Sequence, residues 1–92
     1  MENCKYMRET WYGDSRDGKI QNAEGFHYFK FDGSNKILEA FEFYQLYDGS
    51  TTVTPLPEMI GVSWTEDLGF ENTETLDLIS AFDFEQVKKL SN

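Results

Sequence analysis

The chain has 92 residues, with 17 Asp and Glu against 8 Lys and Arg, for a formal net charge of −9. That length fits one domain over residues 1–92; no run of about 18 apolar residues exists to cross a membrane, and the charge argues against nucleic acid, whose phosphates need local cations. Phe, Trp and Tyr make up 16% of the residues, which favours a packed core over a disordered chain.

The first residues lack a basic segment followed by an apolar one, so no secretory signal is expected. Cys4 is the single cysteine. It excludes an intramolecular disulfide and a cysteine-based zinc site, and it fits a reducing, cytoplasmic compartment. Residues 4–12 read as the first strand. Gly13–Glu24 then partly matches a calcium-binding loop, with Ser15, Asp17, Gly18, Ile20 and Glu24 at loop positions 3, 5, 6, 8 and 12. Position 1 is Gly13 instead of Asp, and strand-like segments stand where two helices belong. The expectation is therefore a long hairpin loop and no metal. Residues 19–22 allow a further short strand.

Three Asp-Gly pairs, Asp17-Gly18, Asp32-Gly33 and Asp48-Gly49, fall 15 and 16 residues apart. Asp-Gly favours turns, because glycine accepts positive φ and aspartate bonds nearby backbone. Strands are predicted at about 25–32, 36–47 and 50–54, with a weaker one at 59–65. Pro55 and Pro57 close the fourth, since proline is excluded from central strands. Residues 66–74 read as a polar loop and 75–80 as a last strand. A terminal helix follows, with Asp83 as N-cap, Gln86 completing a capping box, and Phe84, Val87 and Leu90 forming its apolar stripe. The predicted fold is α+β: a small antiparallel meander of about five strands with a C-terminal helix packed on it.

Two features bear on function. Alternation puts Phe26, Tyr28 and Lys30 on one face, and His27, Phe29 and Phe31 on the other. Phe41, Phe43, Gln45 and Tyr47 likewise oppose Glu42, Tyr44 and Leu46. One short helix covers only one face, so the second must be covered by the sheet's own curl, by a twin subunit, or by a partner or ligand. The second feature is charge. Residues 1–36 balance six acids with six bases, whereas residues 37–87 carry eleven acids and no Lys or Arg. Such a stretch steers cationic proteins if it folds onto one surface.

No catalytic or cofactor signature is present. His27 has no partner placed by sequence, Ser63 only half matches a nucleophile elbow, and Glu39 with Glu42 carries no specific hydrolase signal. Trp11 and Trp64 read as core anchors, and one exposed beside the acidic surface becomes a contact hot spot instead. The expected function is a non-enzymatic, cofactor-free, cytoplasmic protein-binding module of inhibitor, immunity or adaptor type. Its basic partner would meet Glu39, Glu42, Asp48, Glu58, Glu66 and Asp67, with Tyr44 and Trp64 as aromatic anchors. The alternatives are a small-ligand binder with an aromatic cavity between sheet and helix, and a structural homodimer.

Overall fold

The structure is a computed structural model that describes residues 4–15, 18, 20–21, 23–46, 49–63 and 76–90. Five antiparallel strands form one sheet: β1 (Lys5–Gly13), β2 (Ala23–Phe31), β3 (Ile37–Gln45), β4 (Thr51–Pro55) and β5 (Leu76–Ile79). Their order is β4-β3-β2-β1-β5. The first four make the expected meander, and β5 returns beside β1. An eight-residue helix, α1 (Ala81–Lys88), follows β5. The α+β architecture is thus the one the turn spacing predicts. None of the described helices is long and apolar enough to cross a membrane.

The turns show which residues absorb the left-handed backbone. Gly18 and Gly49 do so, at φ 75° and 87°. In the β2–β3 turn the left-handed residue is Asn35, at φ 61°, and not Gly33. Asp32 organises that turn instead. Its Oδ1 accepts from the Ser34 and Lys36 backbone N–H groups at 2.8 and 3.0 Å. Asparagine tolerates this conformation because its short polar side chain bonds locally.

Four features differ from the sequence reading, and the polar loop expected at 66–74 lies outside the described residues. Of the weak strand at 59–65, residues 59–63 are described: they hold the end of a 3-10 turn at Pro57–Met59 and a single bridge between Ser63 and Lys36; Pro57 sits at the turn's start, where its missing N–H costs nothing. The helix cap is Ser80, whose hydroxyl accepts from the Asp83 N–H at 3.0 Å. Asp83 lies inside the first turn, where its charge suits the dipole. The apolar stripe is shorter than expected: Phe84 is buried and Val87 packs with it, but Leu90 lies beyond the helix and is exposed. Of the short strand at 19–22, Ile20 and Gln21 are described and neither is in a strand.

Both sheet faces carry a core. On the first face, Tyr28, Phe41 and Phe84 pack together, with Tyr6, Phe26, Phe43, Val53, Ile79 and Val87 around them. Phe84 meets Tyr6 and Phe41 with ring centroids 5.2 and 5.1 Å apart. On the second face, Met7, Phe29, Phe31, Ile37, Ala40 and Leu56 cluster, with Met59 and Val62 against them. The second face is therefore covered by the connection leaving β4, a solution that alternation alone does not suggest. A register shift at Lys30/Phe31 lets Ile37 and Ala40 share that face despite their odd spacing.

One ion-pair network ties α1 to the sheet. Glu39 on β3 bonds Lys88 of the helix and lies 3.5 Å from Lys30 on β2. Burial raises the Glu39 pKa, but the Lys88 bond and charge, with Lys30, outweigh it and hold the carboxyl below its ordinary value. A lowered carboxyl pKa contributes stability above the unfolded value near ~4.3, and that contribution is lost as pH falls through the folded pKa. Lys88→Met is expected to cost up to about 1 kcal/mol at pH 7, because the pair is partly exposed. It is also expected to flatten the acid limb of stability. Urea melts between pH 3 and 7 check both effects, and an unchanged acid limb would refute the coupling.

Candidate functional site

The helix leaves half of its own face bare. Eight helical residues span about 12 Å, while nine strand residues span about 30 Å. The helix sits over the rows built on Tyr6–Lys30–Glu39 and Arg8–Tyr28–Phe41. Beyond them lies the row Thr10–Phe26–Phe43–Val53, and then the pair Tyr12–Glu24. Here the surface forms an open groove of about 850 Å³. Phe26 and Phe43, both half-buried, make its floor. Thr10 and Tyr12 line it from β1, and Gln45 and Leu46 from the end of β3. Ile20 and Gln21 close it from the β1–β2 connection. Glu24 is the only charged side chain among the described lining residues.

The groove lies at the bare end because of local sequence choices. Tyr12, the last residue but one of β1, has 65% of its surface exposed. Gly25, directly between the two groove rows, lets β2 and β3 close. A Cβ there would stand 2.4 Å from the Phe43 carbonyl oxygen and 2.8 Å from the Tyr44 ring. Arg8 bounds the groove on the helix side, its guanidinium 4.6 Å from the Phe26 ring centre. Asp77 of β5 faces Arg8 at 3.6 Å and offsets its charge. A second, smaller cavity of about 210 Å³ lies between α1 and the β3–β4 edge, lined by Phe41, Val53, Phe84 and Lys88 among others.

The opposite face carries a different constellation. Glu9, His27 and Glu42 are direct neighbours on three central strands. His27 Nδ1 is 3.4 Å from a Glu9 oxygen, and Nε2 is 3.6 Å from a Glu42 oxygen. Trp11 stacks on the imidazole, with ring centres 4.7 Å apart. Both ring nitrogens thus face carboxylates. The next row is Trp11–Gly25–Tyr44. Burial pushes the Tyr44 hydroxyl pKa up, the Glu42 charge adds to this, and the Trp11 indole pulls against it. No group of His, Cys, Asp and Glu suited to a metal ion occurs among the described residues.

The described members of the sequence-predicted contact set, Glu39, Glu42, Tyr44 and Glu58, do not share one surface. Glu39 sits on the helix-bearing face, paired with Lys30 and Lys88. Glu42 lies on the other face and is 4% exposed, beside His27. Glu58 sits in the turn after β4. Tyr44 is 1% exposed and is a core residue rather than an anchor. Asp48, Trp64, Glu66 and Asp67 lie outside the described residues. Trp11, read as a core anchor, is 38% exposed. The cations missing from residues 37–87 arrive from elsewhere: Arg8 from β1, Lys30 from β2 and Lys88 from α1. Strand pairing brings Arg8 opposite Asp77 and Lys30 opposite Glu39, and the docked helix adds Lys88, none of which linear charge counting sees. The groove residues Tyr12, Phe26 and Phe43 are visible in the sequence as aromatic surplus, whereas Glu24, read there as the end of the hairpin loop, pairs with Tyr12 inside β2. Their exposure follows from the length of the helix.

Comparison with protein-family models, with curated proteins and with solved structures finds no match.

Proposed function

We propose that this chain is a non-enzymatic protein-binding module of inhibitor, immunity or adaptor type, acting in the cytoplasm on a basic partner. The observation that carries the reading is the aromatic groove beside α1, with exposed Tyr12 at its wall and Glu24 at its rim. Interfaces concentrate their affinity in aromatic side chains set in such hollows. The net charge of −9 adds a long-range attraction for a cationic protein. The contact surface moves from the Glu39, Glu42 and Tyr44 set to the groove, because those residues lie on opposite faces or inside the core.

The small-ligand reading rests on the cavity between sheet and helix. At about 210 Å³ it is smaller than the ~300 Å³ at which ligand sites usually begin. The protein reading is therefore preferred.

The test is affinity capture from lysate at about 0.1 and 0.5 M salt, with the intact chain and with Tyr12→Ala. A protein held at low salt, released at high salt and lost by the variant supports the proposal. Capture indifferent to both salt and Tyr12 refutes it. Loss of binding should come with unchanged thermal stability, because Tyr12 is mostly in solvent.

A further inference from the structure

We infer that the groove is an arginine-reading site: it takes a guanidinium of the partner flat against Phe43 and Tyr12, with Glu24 closing on its edge. This rests on the protein-binding reading and names the chemistry that the partner must present. Three observations lead to it. The first is that the molecule already makes this contact once at the groove's inner end, where the Arg8 guanidinium lies over the Phe26 ring. An aromatic floor attracts a cation through the negative face of its rings, and guanidinium stacks on it better than ammonium does.

The second is the polar rim. Glu24 brings a carboxylate, and Gln21 and Gln45 bring carboxamides, to the lining of the same hollow. A guanidinium carries five N–H donors in a plane, so it bonds acceptors at its edge while its face stays on a ring. An aliphatic or acidic side chain would leave these acceptors unmatched. The third is the offset of Arg8 itself. With Asp77 at 3.6 Å, its charge is balanced on the side away from the groove. The size also fits: about 850 Å³ is room for several side chains, so the arginine arrives on an extended segment and not alone.

The experiment titrates the isotope-labelled intact chain with two short peptides of one sequence, one bearing two arginines and the other two citrullines. Citrulline keeps the shape and removes the charge. Amide shifts at Phe26, Phe43, Gln45 and Leu46 are expected with the arginine peptide, at least tenfold weaker with citrulline. Glu24→Gln is expected to weaken the arginine peptide about fivefold, the scale of an exposed charge-assisted pair. Asp83→Asn on α1, outside the groove, is the control and should leave the titration unchanged. Equal binding of the citrulline peptide overturns the inference, as do shifts centred on Glu58, Asp83 and Glu85. In either case Tyr12-dependent capture from lysate would still uphold the protein-binding reading. Loss of that capture would remove the reading itself, so the two failures are separable.

Discussion

Phe84→Ala is expected to lower the melting temperature by about 15–25 °C, read by circular dichroism. Phe84 is 0% exposed and is the only fully buried side chain of α1. It meets the rings of Tyr6, Tyr28 and Phe41 across three strands. Removing a buried phenylalanine costs about 3–5 kcal/mol through lost transfer energy and the cavity left behind. A domain of this size is held by roughly 5–14 kcal/mol in total, and each kcal/mol moves its midpoint by about 4–8 °C. The helix has little else to hold it. Its short length makes it marginal alone, and beside Phe84 it is held to the sheet by half-buried Val87 and the Lys88–Glu39 bond. Loss of the helical signal ahead of the sheet signal is expected in the same melt. A shift below about 5 °C would mean that α1 is not docked through Phe84.

Gly25→Ala is the second large effect. The added methyl would meet the Phe43 backbone oxygen at 2.4 Å, and backbone in the middle of a ladder cannot step aside as a side-chain tip can. Strands β2 and β3 must part, which costs on the order of 2–4 kcal/mol. The position joins both faces: Tyr44 packs against it on one side, and the groove opens on the other. The variant is thus expected to lose stability and to disturb the Phe26 and Phe43 resonances together. Gly33→Ala is the matched control. A Cβ there meets nothing within 4 Å, and its backbone is not left-handed. Its effect should stay within about 0.5 kcal/mol. Equal behaviour of the two variants in urea unfolding would show that β2 and β3 do not pair with Gly25 opposite Tyr44.

Much of this architecture is legible in local patterns. Asp-Gly pairs and two-residue alternation place the strands, because turn chemistry and pleat are properties of adjacent residues. The division of Phe26 and Tyr28 from His27 and Phe29 holds for the same reason. What escapes depends on distant parts of the chain. Nothing near Leu56, Met59 and Val62 announces that they roof the face containing Met7 and Phe31. Within the acidic stretch, Glu39 meets Lys30 across strands and Lys88 from the helix, pairings that a linear charge count does not show. Tyr44 looks like an anchor by composition, yet Gly25 opposite it gives its ring a buried berth. Ser80 outranks Asp83 as a cap because β5 ends at Ile79, a boundary fixed by pairing with Tyr6 and not by helical periodicity.

The placement of β5 beside β1 also orders events during synthesis. Tyr6 pairs with Ile79, a closure over roughly 70 positions, whereas the four-stranded meander closes through short turns. On a ribosome, the meander can therefore assemble while β5 and α1 are still inside the exit tunnel. Through that interval the rings of Tyr6, Tyr28 and Phe41 face water, and β1 has an open edge. The nascent chain is then most exposed to strand-to-strand aggregation, and a translational pause while β5 and α1 occupy the tunnel would lengthen the hazard.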